Sequence, residues 1–259
     1  MSIEGVANTP PTEAWPMAMR PPPAGFYAAF RSAHANLEAA SPPRGAEDGS
    51  SEAGQRLLAG LLGQTHAEMS RRRGVSEADQ SAYEQLLQRA YTEGAFQDPA
   101  SFLRGLSATE LGVVQRNHGL AQAIDPVMLS REGASNLLLP EGYALDLDGN
   151  DVIETGIGRR IAFPPANAPA AFTKAWASAT QGMNPGDAAS YGLSMFMYMH
   201  RISLNGDHVE ANLPGDALNS YQQVVRDALD GLEAFRAHLA EGQYVRDKAF
   251  FTRLLAAMG

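Results

Sequence analysis

Apolar positions recur at helical spacing along most of the chain. Phe26, Phe30, Ala33 and Leu37 share one face of a helix expected over 25–40. Leu57, Leu58, Leu61, Leu62 and Met69 carry the next, which should end near Arg73-Gly74. There, Arg71, Arg72 and Arg73 meet the carbonyl end of the helix dipole. Ser76 followed by Asp79 makes a capping box, opening a helix that buries Tyr83, Leu86, Leu87, Ala90 and Tyr91. Asp98-Pro99 marks another start, because proline suits a first helical turn, and Ser107 with Glu110 opens a helix carrying Leu111 and Val114. Asp125-Pro126 and Ser130 lead into a short helix ending at Leu139-Pro140. Further on, Asn167 should cap a helix with Phe172 and Trp176. Asn184-Pro185 opens a very apolar one through Tyr191, Met195, Tyr198, Met199 and Ile202. A polar loop over 205–215 precedes a long helix from Leu218 to Leu239, and a last helix carries Tyr244, Phe250, Phe251, Leu254 and Leu255.

The period changes at Gly142. Tyr143, Leu145 and Leu147 alternate with Ala144, Asp146 and Asp148, the spacing of a strand. Val152, Ile153 and Ile157 follow Gly149-Asn150, and Arg159 to Phe163 lead up to Pro164-Pro165, so two extended segments around Asp-Gly-Asn predict a β-hairpin. The expected fold is mainly α: a multi-helix globular domain with one small β-hairpin near residues 143–163 and a disordered Pro-rich N-terminal tail. The tail spans 1–24, since its prolines and few apolar anchors cannot offset the entropy of ordering. A helix over 25–40 with a linker at 41–53, a helical region at 54–140, the hairpin with its acidic loop at 141–165 and a C-terminal helical region at 166–259 complete the order. No internal repeat is present.

Composition narrows the function. The formal charge of −9 argues against a nucleic-acid-binding surface, because phosphate binding needs clustered cations. Cysteine is absent, which removes disulfides, thiolate metal sites and cysteine nucleophiles. The start shows no basic segment followed by an apolar run, and no stretch reaches the ~18 apolar residues of a spanning helix. The expectation is therefore a soluble protein, cytoplasmic by default, with export by a non-classical route left open. Lys174 and Lys248 are the only lysines among many Arg, Ala and Gly, the bias of a GC-rich bacterial genome.

Concentrated chemistry lies in one acidic turn. Asp146, Asp148 and Asn150 place oxygen side chains at every second position, and Glu154 adds another at the ninth position counted from Asp146. Calcium takes six to eight oxygen ligands at ~2.4 Å, which alternate residues of a tight loop can supply. The stretch resembles EF-hand-type calcium loops, including the isolated loops of dockerins, over about a dozen residues. The resemblance implies Ca2+ held by Asp146, Asp148, Asn150, the backbone carbonyl of Val152, and Glu154, with Ile153 pairing into a short strand. Asp151 stands where such loops use glycine, and Ile157 where they place a bidentate carboxylate. Asp, Gly and Asn also suit a hairpin turn for backbone reasons alone, so a plain turn is an equal alternative.

Other candidates are weaker. Met195, Met197, Met199 and His200 suit copper(I), but the same residues on an apolar helix serve as core packing. Gly156-Ile157-Gly158-Arg159 lacks the third glycine and the βαβ setting of a dinucleotide loop. Asp207, His208 and Glu210 read as a solvated loop. His118 sits at a helix C-terminus, and His34, His66 and His238 fall on helices at partly exposed positions. These residues point to a non-enzymatic bacterial interaction or assembly protein, docking another protein and carrying a weak structural calcium loop. The alternative is a hydrolase-like enzyme with dispersed residues near that loop, among them Asp146, Asp148 or His208.

Overall fold

A computed structural model describes residues 20–40, 52–202 and 209–259. Most of the Pro-rich tail, most of the linker, and Asp207 with His208 lie outside the described residues. Among the described residues the chain is mainly helical, as expected, with eleven α-helices and two two-stranded sheets. It divides into two compact units, with the break between Arg160 and Ile161.

In the first unit the helices are α1 (Phe26–Ala40), α2 (Glu52–Leu62), α3 (Gln64–Arg73), α4 (Glu77–Glu93), α5 (Pro99–Arg104), α6 (Ala108–His118) and α7 (Arg131–Leu137). Their starts follow the capping logic read from the sequence. The side chains of Ser76, Asp98, Ser107 and Ser130 each accept a backbone N–H three residues on, and Ser107 with Glu110 forms the full reciprocal box. One expected helix is two: Gly63, at φ 93°, breaks the stretch into α2 and α3. The short helix before Leu139-Pro140 also stops sooner, at Leu137.

Helix α4 is central, packing on α1, α2 and α6. Tyr83, Leu87 and Tyr91 on it are wholly buried with Leu62, Leu103, Val114 and Leu137. Burying a tyrosine leaves its hydroxyl in need of a partner. Tyr83 donates toward the carbonyls of Leu139 and Leu137 (2.8 and 3.0 Å), and Tyr91 donates to that of Leu138 (2.7 Å). The carbonyls at the end of α7 are thereby satisfied from α4, with His118 on α6 also reaching that of Leu137.

The hairpin consists of β1 (Val152–Thr155) and β2 (Gly158–Ile161). Its turn is Gly156-Ile157, with Gly156 at φ 63°, as a two-residue hairpin turn led by glycine requires. The Asp-Gly-Asn segment is therefore not the hairpin turn; it lies ahead of β1. The extended run at 143–147 does not pair with β2 either. Tyr143 instead forms a parallel bridge with Arg20, where Ala144 N–H donates to the Arg20 carbonyl (3.0 Å) and the guanidinium lies over the Tyr143 ring. The hairpin tip rests directly on α7: Gly156 N–H donates to the Gly133 carbonyl (3.0 Å), and a Cβ on Gly133 would stand 2.1 Å from the Gly156 oxygen.

The second unit holds α8 (Ala170–Thr180), α9 (Pro185–Met199), β3 (His200–Ile202), β4 (Val209–Ala211), α10 (Leu218–Ala234) and α11 (Gln243–Met258). Helix α11 packs on α8 and α10 around stacked aromatic pairs, Phe172 on Tyr221 and Tyr191 on Phe250, each 3.8 Å between ring centres. The Tyr191 hydroxyl donates to Asp247 (2.7 Å). Three expectations change. Helix α8 starts at Ala170 with no side-chain cap, so Asn167 does not cap it. Helix α9 stops at Met199, and His200 to Ile202 form β3, antiparallel to β4 in a ladder running from His200–Ala211 to Ile202–Val209. Helix α10 ends at Ala234, followed by a single 3-10 turn at Arg236–His238. Met195 and Met199 are fully buried and fill core space, while Met197, 54% exposed, faces the opposite side of α9.

Gly133→Ala should lower unfolding stability by about 1–3 kcal/mol through the clash with Gly156. Urea unfolding checks this against the exposed Arg131→Ala, which should stay within about 0.5 kcal/mol of the wild type.

Candidate metal site

The acidic loop is closed on its own first residue. Asp146 Oδ1 accepts the N–H groups of Gly149 (2.8 Å) and Asn150 (3.2 Å), and its Oδ2 accepts that of Asp151 (2.8 Å). Asp148 accepts from the backbone and side-chain nitrogens of Asn150 (3.2 and 2.8 Å), and Asn150 Oδ1 accepts Val152 N–H (2.7 Å). Asp151, buried at φ 60°, is the one non-glycine residue with positive φ among the described residues. That turn of the backbone carries the chain from the loop into β1, where Ile153 enters the core. Aspartate tolerates the left-handed region better than most side chains.

Two residues one turn apart on α7 hold the loop from outside. Glu132 is buried and accepts Leu147 N–H (2.7 Å) and Glu154 N–H (2.8 Å), bracketing the loop at both ends. Asn136 donates to the carbonyls of Leu145 (2.9 Å) and Glu154 (2.7 Å) and accepts Leu145 N–H (2.7 Å). Carboxylate oxygens of Glu132, Asp146 and Asp148 consequently lie within 4.8 Å of one another, a grouping that can hold a metal ion.

Electrostatics favours a cation here. Burial pushes Glu132 above the usual carboxylate range, and Asp146 and Asp148 add to the rise against the two backbone N–H groups it accepts. Burial also raises Asp148, with Asp146 and Glu154 acting in the same direction. The nearby Arg159 does not relieve this crowding, because its guanidinium pairs with Glu154 (2.8 Å), which also receives the Ser130 hydroxyl.

Of the residues expected to ligate, Asp146 and Asp148 stand in the cluster. Asn150 lies between them and β1, engaged with Asp148 and Val152. Val152 opens β1. The Glu154 carboxylate turns to Ser130 and Arg159. Glu132 went unforeseen, since an acid in the first turn of a short helix reads as a complement to the helix dipole.

Behind the hairpin lies a cavity of about 190 Å³ lined by Arg73, His118, Glu141, Tyr143, Ile153 and Arg160 among others. Arg73 donates to Glu141 and to the Asn117 carbonyl, each at 2.8 Å. Below it, His66 Nδ1 accepts Glu141 N–H (3.2 Å) and its Nε2 meets Asn117 Oδ1 (3.2 Å), the pattern of one neutral tautomer. His118 Nε2 lies 2.9 Å from the Tyr83 hydroxyl and 3.1 Å from the Leu137 carbonyl. Burial would raise Glu141, but His118 and Arg73 outweigh it and hold the group below its usual range. His34 and His66 are buried, where partial exposure was expected. Tertiary packing fixed their burial, and an alanine-rich neighbourhood gives no sign of it.

No protein-family model, curated protein or solved structure matches the chain. No helix among the described residues is long and apolar enough to cross a membrane.

Burial, assisted by His118, pulls His66 down to about 4 from its ordinary 6.5. The folded protein keeps it neutral while the unfolded chain takes up a proton below pH 6.5. Its contribution to stability is complete above that pH and is lost as pH falls toward 4, by up to about 1.4 kcal/mol per pH unit. Urea unfolding across this window should show the slope, and His66→Gln should reduce it, leaving the part that His118 contributes in the same direction.

Proposed function

We propose that the chain is a non-enzymatic interaction or assembly protein whose loop from Asp146 to Glu154 binds calcium as a structural pin between α7 and β1. The observation that carries this reading is the convergence of the Glu132, Asp146 and Asp148 carboxylates on one small volume. Calcium suits it because the donors are all oxygens and the loop geometry is irregular, whereas zinc prefers nitrogen and sulfur and magnesium demands a near-ideal octahedron. Asp146 accepting three successive backbone N–H groups, with positive φ at Asp151, supports the likeness to an EF-hand-type loop. In this reading Glu132 supplies from α7 the carboxylate that the loop lacks at Ile157. Asn150 and the Val152 carbonyl complete the set after a small rearrangement, and Glu154 contributes by releasing Arg159.

Because ligands cross from α7 to the loop, an ion there stiffens a surface without serving chemistry. That accords with docking another protein, and the Pro-rich segment, by composition, belongs to the class that orders on binding.

Calcium in excess over a chelator-treated sample should raise the melting midpoint by several degrees, since a ligand at 100 times its Kd adds ~2.7 kcal/mol. Magnesium should do less. Glu132→Gln and Asp148→Ala should each remove most of the shift. A wild-type midpoint indifferent to calcium overturns the proposal.

A further inference from the structure

The cavity behind the hairpin carries a chemistry of the opposite sign. Three arginines line it, Arg73, Arg159 and Arg160, against one carboxylate, Glu141. Strand alternation sorts them: Ile153 and Thr155 on β1 and Gly158 and Arg160 on β2 share the face that lines the cavity. Arg159 also touches the cavity, but its guanidinium is committed to Glu154 (2.8 Å). Arg73 is committed to Glu141 and to the Asn117 carbonyl, so Glu141 has its cation already. The Arg160 guanidinium makes no hydrogen bond or ion pair with any described residue.

From this arrangement the geometry points to an oxyanion site, with Arg160 as the principal ligand for a carboxylate or phosphate group carried by a small molecule. A guanidinium presents its donors as a planar fork that matches both groups bidentately. Walls of low dielectric strengthen such a contact relative to water. Arg160 is exposed overall, but partial desolvation of its guanidinium at the cavity wall, reinforced by the positive charge of Arg73, lowers its pKa while Glu141 acts against the fall. An arriving anion would relieve a cation short of counter-charge. Leu120, Tyr143 and Ile153 give the ligand's body an apolar wall, and about 190 Å³ limits that body to a few heavy atoms beyond the anion. The positive lining stands out on a chain of net charge −9, where random placement favours carboxylates.

The test uses the full chain in metal-free buffer, which separates it from the calcium reading. Inorganic phosphate and benzoate are titrated separately while the backbone amide resonances of Thr155, Gly158 and Arg160 are followed by NMR. At least one probe should shift them saturably, with Arg160→Gln weakening the affinity roughly tenfold or more and Arg160→Lys falling between. The probe that saturates identifies the group, phosphate or carboxylate. Melting of both variants within about a degree of the wild type shows that the fold survives, as expected for substitutions at an exposed position. Failure of both probes to saturate, or equal affinity in Arg160→Gln, overturns the proposal.

Discussion

Two tyrosine hydroxyls from α4 reach the carbonyls that end α7: Tyr91 at Leu138, and Tyr83 at Leu137 and Leu139. A buried phenol without a partner is costly, and so is a buried carbonyl, so each group fixes the position of the other. Much of the first unit follows from that constraint. With α7 held in place and rotation, Glu132 and Asn136 project from one face, four residues apart, and meet the loop. Gly133, between them, lets the hairpin tip come down to backbone contact.

The polar groups beside this junction form a connected set. His118 joins Tyr83 and Leu137, while His66 joins Asn117 and the Glu141 backbone, and Arg73 ties Asn117 to Glu141. Low dielectric makes every satisfied member stronger and every broken one more expensive, so such a set favours one packing of α3, α6 and the segment after α7 over near alternatives. Burial pulls the pKa of both histidines down, which favours the neutral rings that serve as shaped donors and acceptors.

Local chemistry was the part of this fold that could be read in advance. Ser76, Asp98, Ser107, Ser130 and Asn184 each announce a helix start because a capping side chain acts within three residues of itself. Gly74, Gly94 and Gly119 end helices in the left-handed conformation for equally local reasons. What escaped depends on distance. Gly63 is a tolerable helix interior until packing asks the chain to turn there. The Asp-Gly-Asn segment carries hairpin-turn residues, yet Asp146 consumes its N–H groups and leaves the turn to Gly156-Ile157. The strands at His200 and Val209 pair across a gap that short-range periodicity does not bridge. At the candidate site, Asp146 and Asp148 were visible as a spacing, whereas Glu132 belongs to it only because α7 is docked.

The glycine-to-glycine contact between α7 and the hairpin tip also bears on how the protein opens. Two strands of four residues each are marginal by themselves in water. Their persistence depends on the helix beneath them, through Gly133, Asn136 and Glu132. A fluctuation that lifts α7 from the tyrosines of α4 therefore releases loop and hairpin together. The stretch from Arg131 to Arg160 is expected to open as one sub-global unit, held shut by the buried hydroxyls of Tyr83 and Tyr91 on the carbonyls of Leu137, Leu138 and Leu139.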